Sequence, residues 1–198
     1  MAQHFFTSSH FIKSCPTIMD APELKLKEVL FVGKSNVGKS SLINALTNNL
    51  KLAFTSSKPG HTRLLNYYLI ENYFYFVDCP GYGFSTKKGL DYKFYGDMIE
   101  GYFENNENLK LIVFLLDSRH LPTKDDLDFY NFLKSYNYNY VFAMTKCDKL
   151  NQSEKARIYK NISEVFGEID KKKCYPVSIK NTKLLQLLKD QIELNVKE

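Results

Sequence analysis

The chain has no tryptophan, four cysteines, and only three arginines (Arg63, Arg119 and Arg157) among its 27 basic residues. Cys15, Cys79, Cys147 and Cys174 lie far apart with no C-x-x-C pair, which indicates neither a zinc site nor a disulfide framework. His4, His10, His61 and His120 show no metal-ligand spacing either. No apolar run approaches the roughly 18 residues that cross a bilayer, and no charged segment followed by a signal-like apolar stretch opens the chain. The expectation is a cytoplasmic protein without a membrane partner, and a monomer by default. What is present is ordinary for one globular domain: 198 residues, 44% hydrophobic and 25% charged. The net charge of +5 is a modest basic excess, compatible with RNA and equally with simple solubility. A Lys-rich surface suits phosphate-backbone contact without base reading. The abundance of Lys, Asn, Tyr and Phe also fits a bias in genomic nucleotide composition.

Residues 1–27 show no strong periodicity and read as an extension packed on, or trailing from, a single domain of residues 28–198. From Glu28 onward strand and helix patterns alternate. Leu64–Ile70 and Tyr73–Asp78 read as a hairpin turning at Glu71-Asn72, and Leu90–Asn105 as a helix weakened by glycines. Leu109–Leu116 is nearly all apolar, as expected of a central strand covered on both faces. Thr123 is the expected N-cap of the next helix, with Asp126 three residues on. Tyr140–Met144, Gln152–Phe166 and Lys173–Val177 read as strand, helix and strand; Leu184, Leu185, Leu188 and Ile192 mark a last amphipathic helix. The expected fold class is α/β in three layers: a mainly parallel six-stranded sheet with one antiparallel strand, and helices on both faces. Ligands of such sheets sit at the carboxyl ends of the strands.

Residues Gly33-Lys34-Ser35-Asn36-Val37-Gly38-Lys39-Ser40 form a complete phosphate-binding loop between an apolar strand and a helix that begins near Ser41. Its glycines let successive backbone N–H groups approach phosphate oxygens at a helix N-terminus. Lys39 is expected near the β- and γ-phosphates, and the Ser40 hydroxyl on Mg²⁺. The chain is therefore expected to bind a nucleoside triphosphate.

Four further segments choose the base and the reaction. Asp78-Cys79-Pro80-Gly81 ends the third expected strand, where Asp78 would hold Mg²⁺ through water and the Gly81 N–H would bond the γ-phosphate. Thr145-Lys146-Cys147-Asp148 ends a later strand, where the base would rest. A carboxylate at Asp148 accepts from the N1–H and amino group of guanine, whereas adenine would leave it unpaired. Lys146 would lay its methylene stem along the ring. Val177-Ser178-Ile179 would offer a backbone N–H to guanine O6. In the segment Ser56 to Arg63, Gly60, His61 and Thr62 form an expected nucleotide-responsive loop, with Thr62 on Mg²⁺ and the γ-phosphate. Lys39, Thr62 and Gly81 are the expected catalytic residues.

These motifs in this order resemble the Ras-like P-loop GTPase superfamily, and more closely the EngB (YihA/YsxC) family of bacterial ribosome-assembly GTPases. The resemblance spans roughly residues 10–190 and rests on Lys34 to Leu46, Pro59-Gly60-His61-Thr62, Asp78 to Phe84 and Asp117-Ser118-Arg119-His120. The last of these separates the chain from small signalling GTPases. Lys58 stands where the family usually has Thr, and Ile179 where it often has a small residue. The resemblance implies a GTPase, with GTP or GDP as ligand and Mg²⁺ as cofactor. It further implies binding to the maturing large ribosomal subunit, its RNA and proteins, and a link to cell division and septation.

Tyr82 follows Gly81 where many GTPases place a water-orienting Gln, so slow intrinsic hydrolysis is expected, with Tyr82 a packing residue. In related potassium-activated GTPases an Asn at the position of Asn36 helps hold K⁺; the alternative is an ordinary turn residue. K⁺, a ribosomal partner, or both would then accelerate turnover. Arg63 could act in cis, though exposure or RNA contact fits it better. Asp125, Asp126 and Asp128 read as a helix's first turn favouring its dipole, not as a catalytic cluster. The alternative function is a guanine-nucleotide-dependent scaffold with negligible turnover. An ATP-using P-loop kinase is disfavoured by Asp148, and a membrane-coupled G domain by the lack of an apolar span.

Overall fold

The computed structural model describes residues 6–55, 64–83, 90–104 and 106–198. The described residues form β1 (Ser9–Cys15), β2 (Lys27–Gly33), α1 (Lys39–Leu46), β3 (Leu65–Ile70), β4 (Phe74–Asp78) and α2 (Leu90–Glu104). They continue with β5 (Leu109–Asp117), α3 (Lys124–Ser135), β6 (Tyr140–Thr145), α4 (Gln152–Phe166), β7 (Cys174–Pro176) and α5 (Thr182–Lys197). The strands lie in the order β1-β3-β4-β2-β5-β6-β7. Pairing is parallel except where β3 meets β1 and β4, so among the described strands β3 alone runs against the rest.

Alternation along the central strands sorts the core into two layers. Val29 and Phe31 of β2 and Leu111, Val113 and Leu115 of β5 meet Leu42, Ile43 and Leu46 of α1 and Leu188, Ile192 and Val196 of α5. Leu30, Val32, Ile112, Phe114 and Leu116 point to the opposite face, onto Tyr102 and Phe103 of α2, Phe129 and Leu133 of α3, and Ile162 and Phe166 of α4. Both faces of β5 are thus covered, which explains its nearly continuous apolar run, broken only by the exposed Lys110.

The expected hairpin is β3–β4. Glu71 and Asn72 both take left-handed backbone angles (φ +54° and +52°), the twist-matched geometry of a tight hairpin turn. The helix after Thr123 begins as expected, with Asp126 accepting from the Thr123 N–H at 2.7 Å. α4 is opened by Asn151 and Glu154, which bond each other's backbone N–H groups.

The sheet has seven described strands where six were expected, and the addition is β1. It pairs with β3 at the sheet edge and is exposed along most of its length, so no alternating burial pattern was written into it. No described helix is long and apolar enough to cross a membrane.

Candidate nucleotide site

β2, β4, β5 and β6 run parallel, so their carboxyl ends bring the expected motifs to one edge of the sheet. Gly38, with φ +110°, turns the chain into α1 in a conformation that side chains rarely adopt. Lys39 follows at the helix start, nearly buried, with Nζ donating to the Gly33 carbonyl at 3.2 Å. Beside it Ser40 Oγ donates to Asp78 Oδ2 at 3.0 Å.

Asp78 is 1% exposed, and its Oδ1 is buried with no hydrogen-bond partner. Burial pushes its carboxyl up, against the opposing charge of Lys39 and the Ser40 hydrogen bond. Burial likewise pulls the Lys39 ammonium down, opposed by Asp78. An orphaned carboxylate oxygen beside a serine hydroxyl is a hard-oxygen donor set of the kind Mg²⁺ takes. Among the described residues no cluster of His, Cys, Asp and Glu offers another metal site.

Cys79 to Gly83 run alongside the phosphate loop. The Cys79 N–H donates to Phe31 O at 3.1 Å, and the Ser35 N–H donates to Tyr82 O at 3.0 Å. Gly81 lies so close that an added Cβ would sit 2.7 Å from Ser35 Cα and 3.0 Å from Lys39 Nζ. Tyr82 turns inward, stacked on Phe129 at 5.0 Å, and its hydroxyl donates to Asp126 Oδ1 at 2.6 Å. Its packing role is therefore visible, and its ring points away from the phosphate loop into α3. Of the acidic trio, Asp126 serves the helix start and Tyr82. Asp125 pairs with Lys34 at 3.6 Å.

At the base end, Thr145 Oγ1 donates to Val37 O at 2.8 Å, tying β6 to the phosphate loop. Lys146 Nζ donates to Asn36 O and to Asp117 Oδ2, both at 2.9 Å. Asp148 is exposed, and a hydrogen bond from Ser178 holds its carboxyl below the usual range. Val177 commits its N–H to Met144 O at 2.9 Å. The donor expected for guanine O6 from residues 177–179 therefore falls to Ser178 or to the exposed Ile179. Gly60, His61 and Thr62, with Lys58 and Arg63, lie outside the described residues.

Asp117 gained no chemical role from the sequence, yet it lies opposite Thr145 in the β5–β6 register and receives Lys146. Its signals were a carboxylate ending a nearly all-apolar strand and a place in the Asp117-Ser118-Arg119-His120 stretch of the family resemblance, and neither names a partner. The Tyr82–Asp126 bond left no signal at all, because it joins residues far apart in the chain.

A phosphate loop, an Asp-x-x-Gly turn and a Lys-x-Asp base loop on a parallel sheet with one reversed strand define a P-loop GTPase domain. A family model described as 50S ribosome-binding GTPase matches residues 28–146. The chain is 48% identical over 154 residues to the probable GTP-binding protein EngB of Clostridium kluyveri, covering 78% of this chain and 77% of that one. It is 45% identical over 186 residues to the same-named protein of Clostridium botulinum (strain Eklund 17B), covering 94% of each. The crystal structure of a probable GTP-binding protein engB superposes with a TM-score of 0.70 at 24% identity, covering 86% of this chain and 98% of that one. The chain belongs to the EngB family of GTP-binding proteins and is a GTPase.

Proposed function

We propose that the chain is a guanine-nucleotide switch acting in assembly of the large ribosomal subunit, as a cytoplasmic monomer, with the link to cell division and septation that its family implies. The observation that carries the switch is Gly81 against Ser35 and Lys39, which leaves no space for a methyl group. A γ-phosphate seated there must be felt directly by the segment Asp78–Tyr82. Support for a ribosomal partner is the description of the matching family as 50S ribosome-binding and a net charge of +5.

The residues divide the work. Backbone N–H groups of Asn36 and of Gly38 to Ser41 would cradle the phosphates, those of Ser35 and Val37 being taken by Tyr82 O and Lys34 O, and Lys39 would neutralise the β–γ bridge. Ser40 and, through water, Asp78 would hold Mg²⁺, which when bound offsets charge on the phosphates. Asp148 would read the guanine edge, and Lys146 would support the ring. Thr62 and Gly81 would meet the γ-phosphate. Tyr82, engaged by Asp126, orients no water, so intrinsic turnover is slow. Asn36, at φ +63° on the loop apex, would place its amide toward a K⁺ ion that speeds the step, alone or with a ribosomal partner.

Two measurements test the reading. An Asp148→Ala variant should lose its preference for guanosine over adenosine nucleotides in titration calorimetry; retained preference sinks the base pocket. Single-turnover hydrolysis should rise with large subunits, and in potassium over sodium chloride at equal ionic strength. No stimulation by either would favour the guanine-nucleotide-dependent scaffold instead.

A further inference from the structure

Lys146 stands one residue beyond β6 in left-handed backbone (φ +60°), which aims its side chain back across the sheet edge. Its ammonium meets two fixed acceptors, the Asn36 carbonyl and Asp117 Oδ2, each at 2.9 Å. Asp117 is in turn gripped by Arg119. The guanidinium donates from Nε to Oδ1 at 2.9 Å and from Nη2 to Oδ2 at 2.7 Å, and the Arg119 N–H reaches Oδ1 at 3.2 Å. Burial pushes the Asp117 carboxyl up, but the hydrogen bonds from Arg119 and Lys146 outweigh it and hold the group well below the usual range. A cavity of about 230 Å³, lined by Asp117 with Lys34, Asn36, Leu121, Ile158 and Asn161, adjoins the carboxylate. Hydrogen bonds, not close packing on every side, therefore fix where it sits.

We infer that Asp117 is a positioning residue for nucleotide binding, acting through Lys146, with Arg119 as the clamp that orients it. The inference rests on the reading of Lys146 and Asp148 as the base pocket. A lysine stem turns freely about its bonds unless its head is held. With the ammonium pinned between β5 and the phosphate loop, the stem already lies across the floor on which a purine ring would rest. Binding then costs less ordering than it would with a loose side chain. The bidentate fork matters for the same reason: it denies the carboxylate rotation as well as charge loss.

The test is a double-mutant cycle on the full chain, read by competition against a fluorescent GDP analogue. D117N should weaken GDP by about tenfold, and inosine diphosphate by the same factor, because Asp148 and not Asp117 reads the exocyclic amine. In a K146A background the same D117N change should cost nothing further. R119A, at a side chain 41% exposed, should repeat the pattern at about threefold, which keeps the test open should D117N fold poorly. Wild-type affinity in D117N and R119A, or equal losses with and without Lys146, would overturn the inference, since a merely structural residue weakens both backgrounds alike. A K146A variant that binds as tightly as wild type would sink the base-pocket reading itself.

Discussion

At Gly81 one methyl group is enough to separate nucleotide binding from turnover. An alanine Cβ would meet the Ser35 backbone on one side and Lys39 Nζ on the other. Backbone cannot swing aside as a flexible side chain can, so the Asp78–Tyr82 segment must retreat from the phosphate loop. Overpacking of this kind costs about 1–3 kcal/mol. Gly81→Ala should slow single-turnover GTP hydrolysis at least tenfold, while GDP affinity, set by the loop and base pocket, changes less than about threefold. Equal losses in both would show that the segment is not a separate reader of the γ-phosphate. The same contrast explains what the sequence could disclose. Lys39, Ser40 and Asp78 announce themselves because their chemistry requires fixed residue types at fixed spacing. Asp117 does not, because its partner Lys146 is placed by β5–β6 register and not by any pattern along the chain.

Between elements, two buried carboxylates act as staples. Asp126 on α3 accepts from the Tyr82 hydroxyl, the Thr123 N–H and the Thr123 hydroxyl, so it joins the switch segment to a helix start. Tyr82→Phe would leave part of that carboxylate unsatisfied, at a cost of about 1–3 kcal/mol. A lower Tm together with faster GDP dissociation is the expected pair; a lower Tm with unchanged dissociation would confine Tyr82 to packing. At the opposite end of the sheet, Glu28 on β2 accepts from Tyr102 of α2 and from Asn106. Burial pushes the Glu28 carboxyl up, and the hydrogen bonds from Tyr102 and Asn106 only partly oppose it. A raised carboxyl keeps its proton in the fold at a pH where the unfolded chain has released it. Its stabilising effect is thus full in acid and is lost as pH rises through the folded pKa. Glu28→Gln removes that loss, so the Tm difference between variant and wild type should move in the variant's favour from about pH 4 to about pH 8. A difference flat across that range would mean that Glu28 titrates normally. The elements themselves were legible where burial leaves a pattern: β2, β4, β5 and β6 as short apolar runs buried almost throughout, and α3, α4 and α5 by one-sided helical periodicity. β1 carries none, since an edge strand exposed on most of its length is free to be any sequence.

That free-form strand nevertheless binds the whole molecule together, because the segment around it reaches both core layers. Cys15 is fully buried with Leu65 and Tyr67 on one face. Phe6 packs on the other against Phe74 and Phe76, at centroid distances of 6.0 and 5.9 Å. Along the way β1 pairs with β3 from Ser9↔Ile70 to Cys15↔Leu65, and the Ser8 N–H donates to Glu71 Oε1 at 2.8 Å. Deleting residues 1–16 would remove a buried aromatic worth about 3–5 kcal/mol of core packing. It would also strip the ladder from β3, whose residues Tyr67, Tyr68 and Ile70 would then line an open, apolar, unpaired edge. A loss of that size is a large part of the roughly 5–15 kcal/mol that holds a domain folded. The truncated chain should therefore unfold at markedly lower urea and self-associate on size exclusion as concentration rises. Nucleotide should recover part of the lost stability, because the site at the strands' carboxyl ends draws on β2, β4, β5 and β6, and none of its residues comes from β1. A truncated protein that stays monomeric with an unshifted midpoint would show that the sheet closes without its first strand.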